Sequence, residues 1–158
     1  MKIRSCVNCG GKVLPLVNHS LRATVAGVPF ERTLRVQRCV ACGEVYLPAG
    51  ALGEFERAAA LELARSGAGQ PTALKFIRKA AGLKAVELSA LLGLTPQHLS
   101  RLENGKANAD RRTVALVAAL LEDRVAGTTR TADQLRAIGR PRKLKGTVHL
   151  DGGAGSVR

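Results

Sequence analysis

The sequence predicts an α+β chain in which a small β-hairpin-plus-helix unit precedes an all-α unit. Three observations predict it. The four cysteines fall in two C-x2-C pairs, Cys6/Cys9 and Cys39/Cys42, with 29 residues between them. The chain between the pairs largely alternates apolar and polar residues, the period of a half-buried strand. From Pro48 onward the apolar residues recur at helical spacing, punctuated by glycine and proline. The expected division is 1–66 for the cysteine unit, 67–72 for a linker, 73–126 for the helical unit and 127–158 for a tail.

Each cysteine pair sits in a similar setting, Cys-Val-Asn-Cys-Gly and Cys-Val-Ala-Cys-Gly. A two-residue spacer lets both thiolates face one ion, and a following glycine lets the chain turn back with its N–H groups aimed at sulfur. Two such knuckles make a closed four-thiolate site, the donor set of structural zinc. We therefore expect one Zn2+ per chain on Cys6, Cys9, Cys39 and Cys42, with no open position for catalysis. A redox CxxC would need one motif opening a helix in an α/β domain, a pattern absent from this sequence.

Between the knuckles, Leu21–Val25 and Phe30–Val36 read as a hairpin around Ala-Gly-Val-Pro, with Gly27 in the turn. Strict alternation puts Arg22 and Arg35 outward, and Arg32 must reach an edge. Pro48–Arg65 reads as a helix with Leu52, Phe55, Ala59 and Leu63 on one face, expected to pack on the hairpin. Ser66-Gly-Ala-Gly-Gln-Pro71 has linker composition.

In the second unit, Thr72–Ala81 reads as a basic amphipathic helix, with Lys75, Arg78 and Lys79 outward. Leu88, Leu91, Leu92, Leu99 and Leu102 then form an apolar stripe interrupted only at Gly93-Leu94-Thr95. Gly93 suits a left-handed helix stop, Thr95 an N-cap and Pro96 a first helical position. Two short helices joined this way form a helix-turn-helix, and Thr95–Asn104 is expected to be its recognition helix. With Leu99 and Leu102 inward, Gln97, Ser100, Arg101 and Asn104 share the outer face. Gln97 and Arg101 could read bases, since Gln pairs bidentately with adenine and Arg with guanine. Arg111–Arg124 is a further helix, apolar around much of its circumference, and a second copy of the chain is its expected cover.

The tail has no apolar period of its own and is expected to be disordered. Residues 124–158 carry eight basic residues against two acidic ones. Gly139-Arg-Pro-Arg-Lys-Leu-Lys145 resembles the core of a minor-groove AT-hook, with Ile138 where an arginine usually precedes the glycine.

Charge points to the partner. The chain has 25 Lys+Arg against 12 Asp+Glu, a formal net charge of +13, which favours a polyanion through counterion release. With one Tyr, three Phe and no Trp, stacking on single strands has little to work with, so duplex DNA is expected. The start has no signal-peptide apolar region, no run reaches membrane-spanning length, and a cytoplasmic location without membrane association is expected. His19, His98 and His149 have no visible nucleophile or carboxylate partner, so no enzyme is expected.

Together, the CxxC…CxxC unit, the short linker and a Cro-like (XRE) helix-turn-helix ending in Leu-Ser-Arg-Leu-Glu-Asn-Gly-Lys106 resemble the MqsA family of antitoxins, the YgiT-type zinc-finger/helix-turn-helix proteins. The resemblance covers roughly residues 3–125. It implies a homodimer held by the carboxyl-terminal domains, bound to an operator with paired half-sites and repressing its own operon. It also implies that the zinc domain binds a ribonuclease toxin of the MqsR type. Carried onto this sequence, it makes Gln97 and Arg101 base readers and Thr95, Asn104 and Lys106 phosphate anchors. It brings Arg111 to the backbone or minor groove and makes Glu103 a scaffold residue. His98 and Ser100, on the recognition helix itself, are further candidates for contact with the backbone or minor groove. Lys84 and Ala85 depart from the polar pair that many XRE domains place there. Two other readings stay open: a solitary zinc-containing regulator without a toxin, and a protein-interaction module that does not read DNA.

Overall fold

The computed structural model describes residues 3–141. Two long antiparallel strands, β1 (Val13–Val25) and β2 (Val28–Cys39), are followed by the short β3 (Val45–Tyr46) and six helices. The helices are α1 (Ala51–Arg65), α2 (Pro71–Ala80), α3 (Ala85–Leu92), α4 (Pro96–Glu103), α5 (Arg111–Ala126) and α6 (Arg130–Gly139). The α+β expectation holds.

The hairpin is longer than expected because its turn is tighter. Ala26 and Gly27 both take positive φ, 52° and 81°, leaving Val25 paired with Val28. Positive φ at both central residues gives the type I′ twist that two-residue hairpin loops favour. A bulge at Pro15-Leu16 absorbs the register shift between Leu14 and Val17. Cross-strand pairs then sort the faces: Val17–Val36, His19–Leu34 and Ala23–Phe30 on one, Asn18–Arg35, Ser20–Thr33 and Arg22–Glu31 on the other. Arg22 and Arg35 point outward as alternation requires, and Arg32 reaches Glu54 of α1 at 3.9 Å.

Helix α1 departs from expectation. It starts at Ala51, after Gly50 in the left-handed region. Its Ala60, Leu63 and Ala64 are buried in one core with Leu74 and Ile77 of α2, Leu88, Leu99 and Leu102 of the α3–α4 pair, and Val117, Leu120 and Leu121 of α5. Phe55 and Ala59, on another side, line a cleft with Phe30 and Arg32 of β2. Leu52, expected on the buried face, is exposed. The helix thus serves both the hairpin and the helical core rather than the hairpin alone. The Ser66–Pro71 stretch, expected as a flexible linker, is a tight connection: Ala68 N–H donates to Leu63 C=O (3.1 Å), the Ala68 methyl packs on the core, and Pro71 opens α2.

The tail region also differs. Residues 130–139 form α6 despite having only a narrow apolar strip, Ala132 and Leu135, which packs on the core. Its first turn is fastened from outside, by Asp123 of α5 accepting from the Thr131 N–H at 2.6 Å. The same hydrogen bond and that of the Thr128 hydroxyl hold the Asp123 carboxyl below its usual range. Helices α1 and α6 thereby cover part of the α5 surface expected to need a second chain. Beyond Pro141, the greater part of the AT-hook-like stretch and His149 lie outside the described residues.

Arg78, expected to face outward, is 7% exposed and forms a bidentate pair with Glu103. Its Nε donates to Oε1 at 2.6 Å and its Nη2 to Oε2 at 3.0 Å, while Nη1 donates to the Leu83 carbonyl at 2.7 Å. Removing one partner of a buried pair strands the other charge in the core. Glu103→Ala is therefore expected to lower the unfolding free energy by about 3–5 kcal/mol, read from the urea midpoint. The double change Arg78→Met/Glu103→Leu should recover most of that loss, and a single variant as stable as the parent would contradict this role.

Candidate metal centre and nucleic-acid interface

The two knuckles fold alike. Cys6 N–H donates to Gly11 C=O and Gly10 N–H to Cys6 C=O; Cys39 N–H donates to Glu44 C=O and Gly43 N–H to Cys39 C=O. Gly10 and Gly43 have φ of 72° and 77°, the left-handed turn that sends each chain back past its sulfurs. All four Sγ atoms lie within 4.8 Å of one another, with Cys6–Cys42 at 3.6 Å and Cys9–Cys39 at 3.5 Å. Tetrahedral zinc with bonds of about 2.3 Å sets its sulfurs about 3.8 Å apart, so the cluster fits one ion. Cys6 and Cys39 are buried, and Cys9 and Cys42 face solvent.

The local electrostatics also fit a cation. The Tyr46 hydroxyl donates to Cys6 Sγ at 3.1 Å. That bond, with backbone N–H groups of Cys9 and Asn8, draws the Cys6 thiol down to about 6 against the effect of burial. Cys9 moves the other way: the Gly11 N–H favours its thiolate, but the sulfurs of Cys42 and Cys39, with some loss of solvation beside them, push it up to about 12. Four crowded thiols cannot all ionise unless a cation balances them, as a metal ion does. The chain can hold a metal ion here, and the donor set is that of zinc.

The sequence places neither Tyr46 nor Gly11 at the metal centre, and reads Arg38 only as one of the hairpin arginines. Tyr46 pairs with Gln37 through β3 and so reaches back over the first knuckle, where its oxygen also accepts from Val7 N–H at 3.0 Å. A Cβ on Gly11 would lie 2.9 Å from the Ala41 Cβ and 3.2 Å from Cys9 Sγ, so only glycine lets the knuckles close. The Arg38 guanidinium lies against Gly43 of the second knuckle. A tyrosine four residues after the last cysteine was the available clue.

The helix-turn-helix forms as its punctuation requires. Gly93 has φ of 66° and the Leu94 N–H closes onto Ser89 C=O at 2.8 Å. The Thr95 Oγ1 accepts from His98 N–H at 3.1 Å and Pro96 occupies the first turn of α4. Ser89 is buried at the crossing, beside Leu88, and Leu99 and Leu102 face the core. The Glu87 carboxylate caps the start of α3 by accepting from the Lys84 N–H.

Gln97, His98, Ser100, Arg101 and Asn104 are all exposed, as are Thr95 before them and Lys106 and Arg111 after them. The structure thus brings these side chains to the outer side of α4 and its two flanks. Thr95 is engaged as the cap, and Asn104 Nδ2 donates to the Ser100 C=O and Oγ at 2.8 and 3.2 Å. Gln97 and Arg101 have no side-chain hydrogen-bond partner among the described residues, and their polar atoms are open to a ligand.

Tyr46→Phe removes one donor to sulfur without changing the packing volume. It should weaken zinc binding about ten- to a hundred-fold, measured by competition against a coloured chelator. Unchanged affinity would remove Tyr46 from the metal centre.

Residues 74–122 match the helix-turn-helix family HTH_3, a family of DNA-binding regulators rather than enzymes. No curated protein and no solved structure matches the chain. No helix among the described residues is long and apolar enough to cross a membrane. The matched segment runs from α2 through most of α5 and contains the Arg78–Glu103 pair and the whole exposed face of α4. The chain therefore carries a helix-turn-helix segment similar to those of DNA-binding regulators, beside a four-cysteine cluster that can hold a metal ion.

Proposed function

We propose that the protein is a dimeric, zinc-containing, sequence-specific repressor that acts as an antitoxin in the cytoplasm. The observation that carries the DNA part of this reading is the outer face of α4. Gln97 and Arg101, one turn apart, are exposed and unengaged at the same helix whose other side is fixed by Leu99, Leu102 and Glu103. In this reading the two side chains read base edges in the major groove. Thr95, His98, Ser100, Asn104 and Lys106 hold the backbone around them, and Arg111 approaches it from the start of α5. The ion is zinc, held by Cys6, Cys9, Cys39 and Cys42, and its role is structural because four protein sulfurs leave no open position.

The antitoxin assignment is supported by the order of the two units along the chain, which resembles the MqsA family. In this reading a ribonuclease toxin of the MqsR type docks on the hairpin unit. The polar hairpin face, with Arg22 and Arg35, is available to it. Dimerisation through the carboxyl-terminal helices places two copies of α4 on paired half-sites about one helical turn apart. The tight α1–α2 turn and the extra helix α6 are departures from the pattern that prompted the resemblance.

Two measurements test the reading. Arg101→Ala should cost about 1–3 kcal/mol of affinity for a duplex selected by the parent protein and relax preference at one base pair. Equal affinity and equal preference would remove base reading by α4. The tagged full chain, purified from its native cells, should carry a small protein in stoichiometric amount whose ribonuclease activity it silences. Recovery without such a companion would leave a solitary repressor.

A further inference from the structure

Helix α6 lies beyond the residues that match the helix-turn-helix family, and base reading by α4 does not use it. Ala132 and Leu135 fasten it to the helical core, and Asp123 fixes its first turn. Held there, α6, the end of α5, the α2–α3 turn and α3 surround an open cleft of about 630 Å3. Arg124 of α5 and Arg136 and Arg140 at the end of α6 line that cleft together with Gly82 and Leu83 of the turn. The Arg124 guanidinium lies close against Gly82, its Nε 3.7 Å from where a Cβ would be. All three arginines are exposed.

The two acids that line the cleft are already engaged. Asp123 accepts from Thr128 and Thr131, and Glu87 accepts from the Lys84 N–H. Asp133 accepts from Thr129 and pairs with Arg136 at 2.8 Å, on the surface, where such a pair is weak and yields readily to a stronger anion. Arg124 and Arg140 have no carboxylate partner among the described residues. Lys84, at the start of α3, adds a fourth exposed cation beside the same turn.

Position decides what these cations can meet. In a docked helix-turn-helix the first helix crosses the sugar–phosphate backbone while the second enters the major groove. The start of α3 is thus at the backbone, and cations grouped beside the α2–α3 turn stand next to phosphates outside the base pairs that α4 reaches. We infer that α6 enlarges the DNA footprint: Arg124, Arg136 and Arg140, with Lys84, bind phosphates of the duplex flanking each half-site, without reading sequence. This rests on the DNA-binding reading above. The interactions are purely electrostatic, so they contribute affinity and salt dependence and leave base preference unchanged.

The experiment compares the full chain with Arg124→Gln/Arg136→Gln/Arg140→Gln. Two duplexes are used, both carrying the sequence that the parent enriches from a random pool. One ends at the enriched base pairs, and the other extends about one helical turn (~10 bp) to each side. On the long duplex the variant should show a salt-dependence slope smaller by about 2–3, close to 0.9 for each phosphate that is no longer neutralised. Hydroxyl-radical protection should shrink at the flanks. On the short duplex the two proteins should bind nearly alike, with identical base preference, and their urea midpoints should agree. Equal slopes on the long duplex, or a deficit just as large on the short one, would overturn the inference while leaving base reading by α4 intact. A parent protein that enriches no sequence would overturn both.

Discussion

The buried pair between Arg78 and Glu103 is the constraint on which the helix-turn-helix half of the molecule depends. Arg78 stands near the end of α2, Glu103 is the last residue of α4, and the third donor of Arg78 grips the Leu83 carbonyl in the turn before α3. One guanidinium therefore ties together the three elements that set the angle of α4. Taking both charges out of water has a desolvation cost, which the bidentate geometry and the additional hydrogen bond offset. A hydrophobic contact at this point would supply burial without direction. The planar fork supplies direction, so Leu99 and Leu102 stay inward and the opposite face of α4 stays in solvent.

Helix α1 is the second organising feature, because it belongs to two neighbourhoods at once. Ala60, Leu63 and Ala64 complete the helical core, whereas Phe55 and Ala59 face Phe30 and Arg32 of the hairpin. The metal-site region has a small apolar cluster of its own, Cys6, Val13 and Cys39 with Ile3 and Tyr46 against them. A unit of that size buries too little surface to hold its shape by packing alone, and a metal ion bound by the four cysteines would supply what the core lacks. The hairpin tip, with Val25, Ala26 and Phe30 against the helical core, gives the two halves a packed junction.

Where short-range chemistry decides the structure, the sequence alone was sufficient. The Gly93–Thr95–Pro96 punctuation, the Asn104-Gly105-Lys106 helix end and the two Cys-Val-x-Cys-Gly knuckles each encode a local backbone geometry, and each forms as read. Long-range choices were less legible. Arg78 follows Ile77 on a helix face that looks solvated until Glu103, 25 residues later, arrives to neutralise it. The periodicity of α1 shows one apolar face, yet Leu63 and Phe55 turn toward different partners. The narrow strip on α6 is too weak to predict a helix, because the carboxylate that caps it belongs to α5. Tyr46 reaches the sulfurs only through a strand pairing that two residues of β3 barely announce.

In the proposed reading, this scaffold holds α4 to read a particular duplex. The most direct measurement is to incubate the zinc-loaded full chain with random-sequence duplex DNA near 0.15 M salt and sequence what is retained. The expected result is an enriched, two-fold symmetric motif whose half-sites lie about one helical turn apart. Retention of DNA with no base preference at any position would mean that the positive charge binds duplexes without reading them, and would contradict the claim.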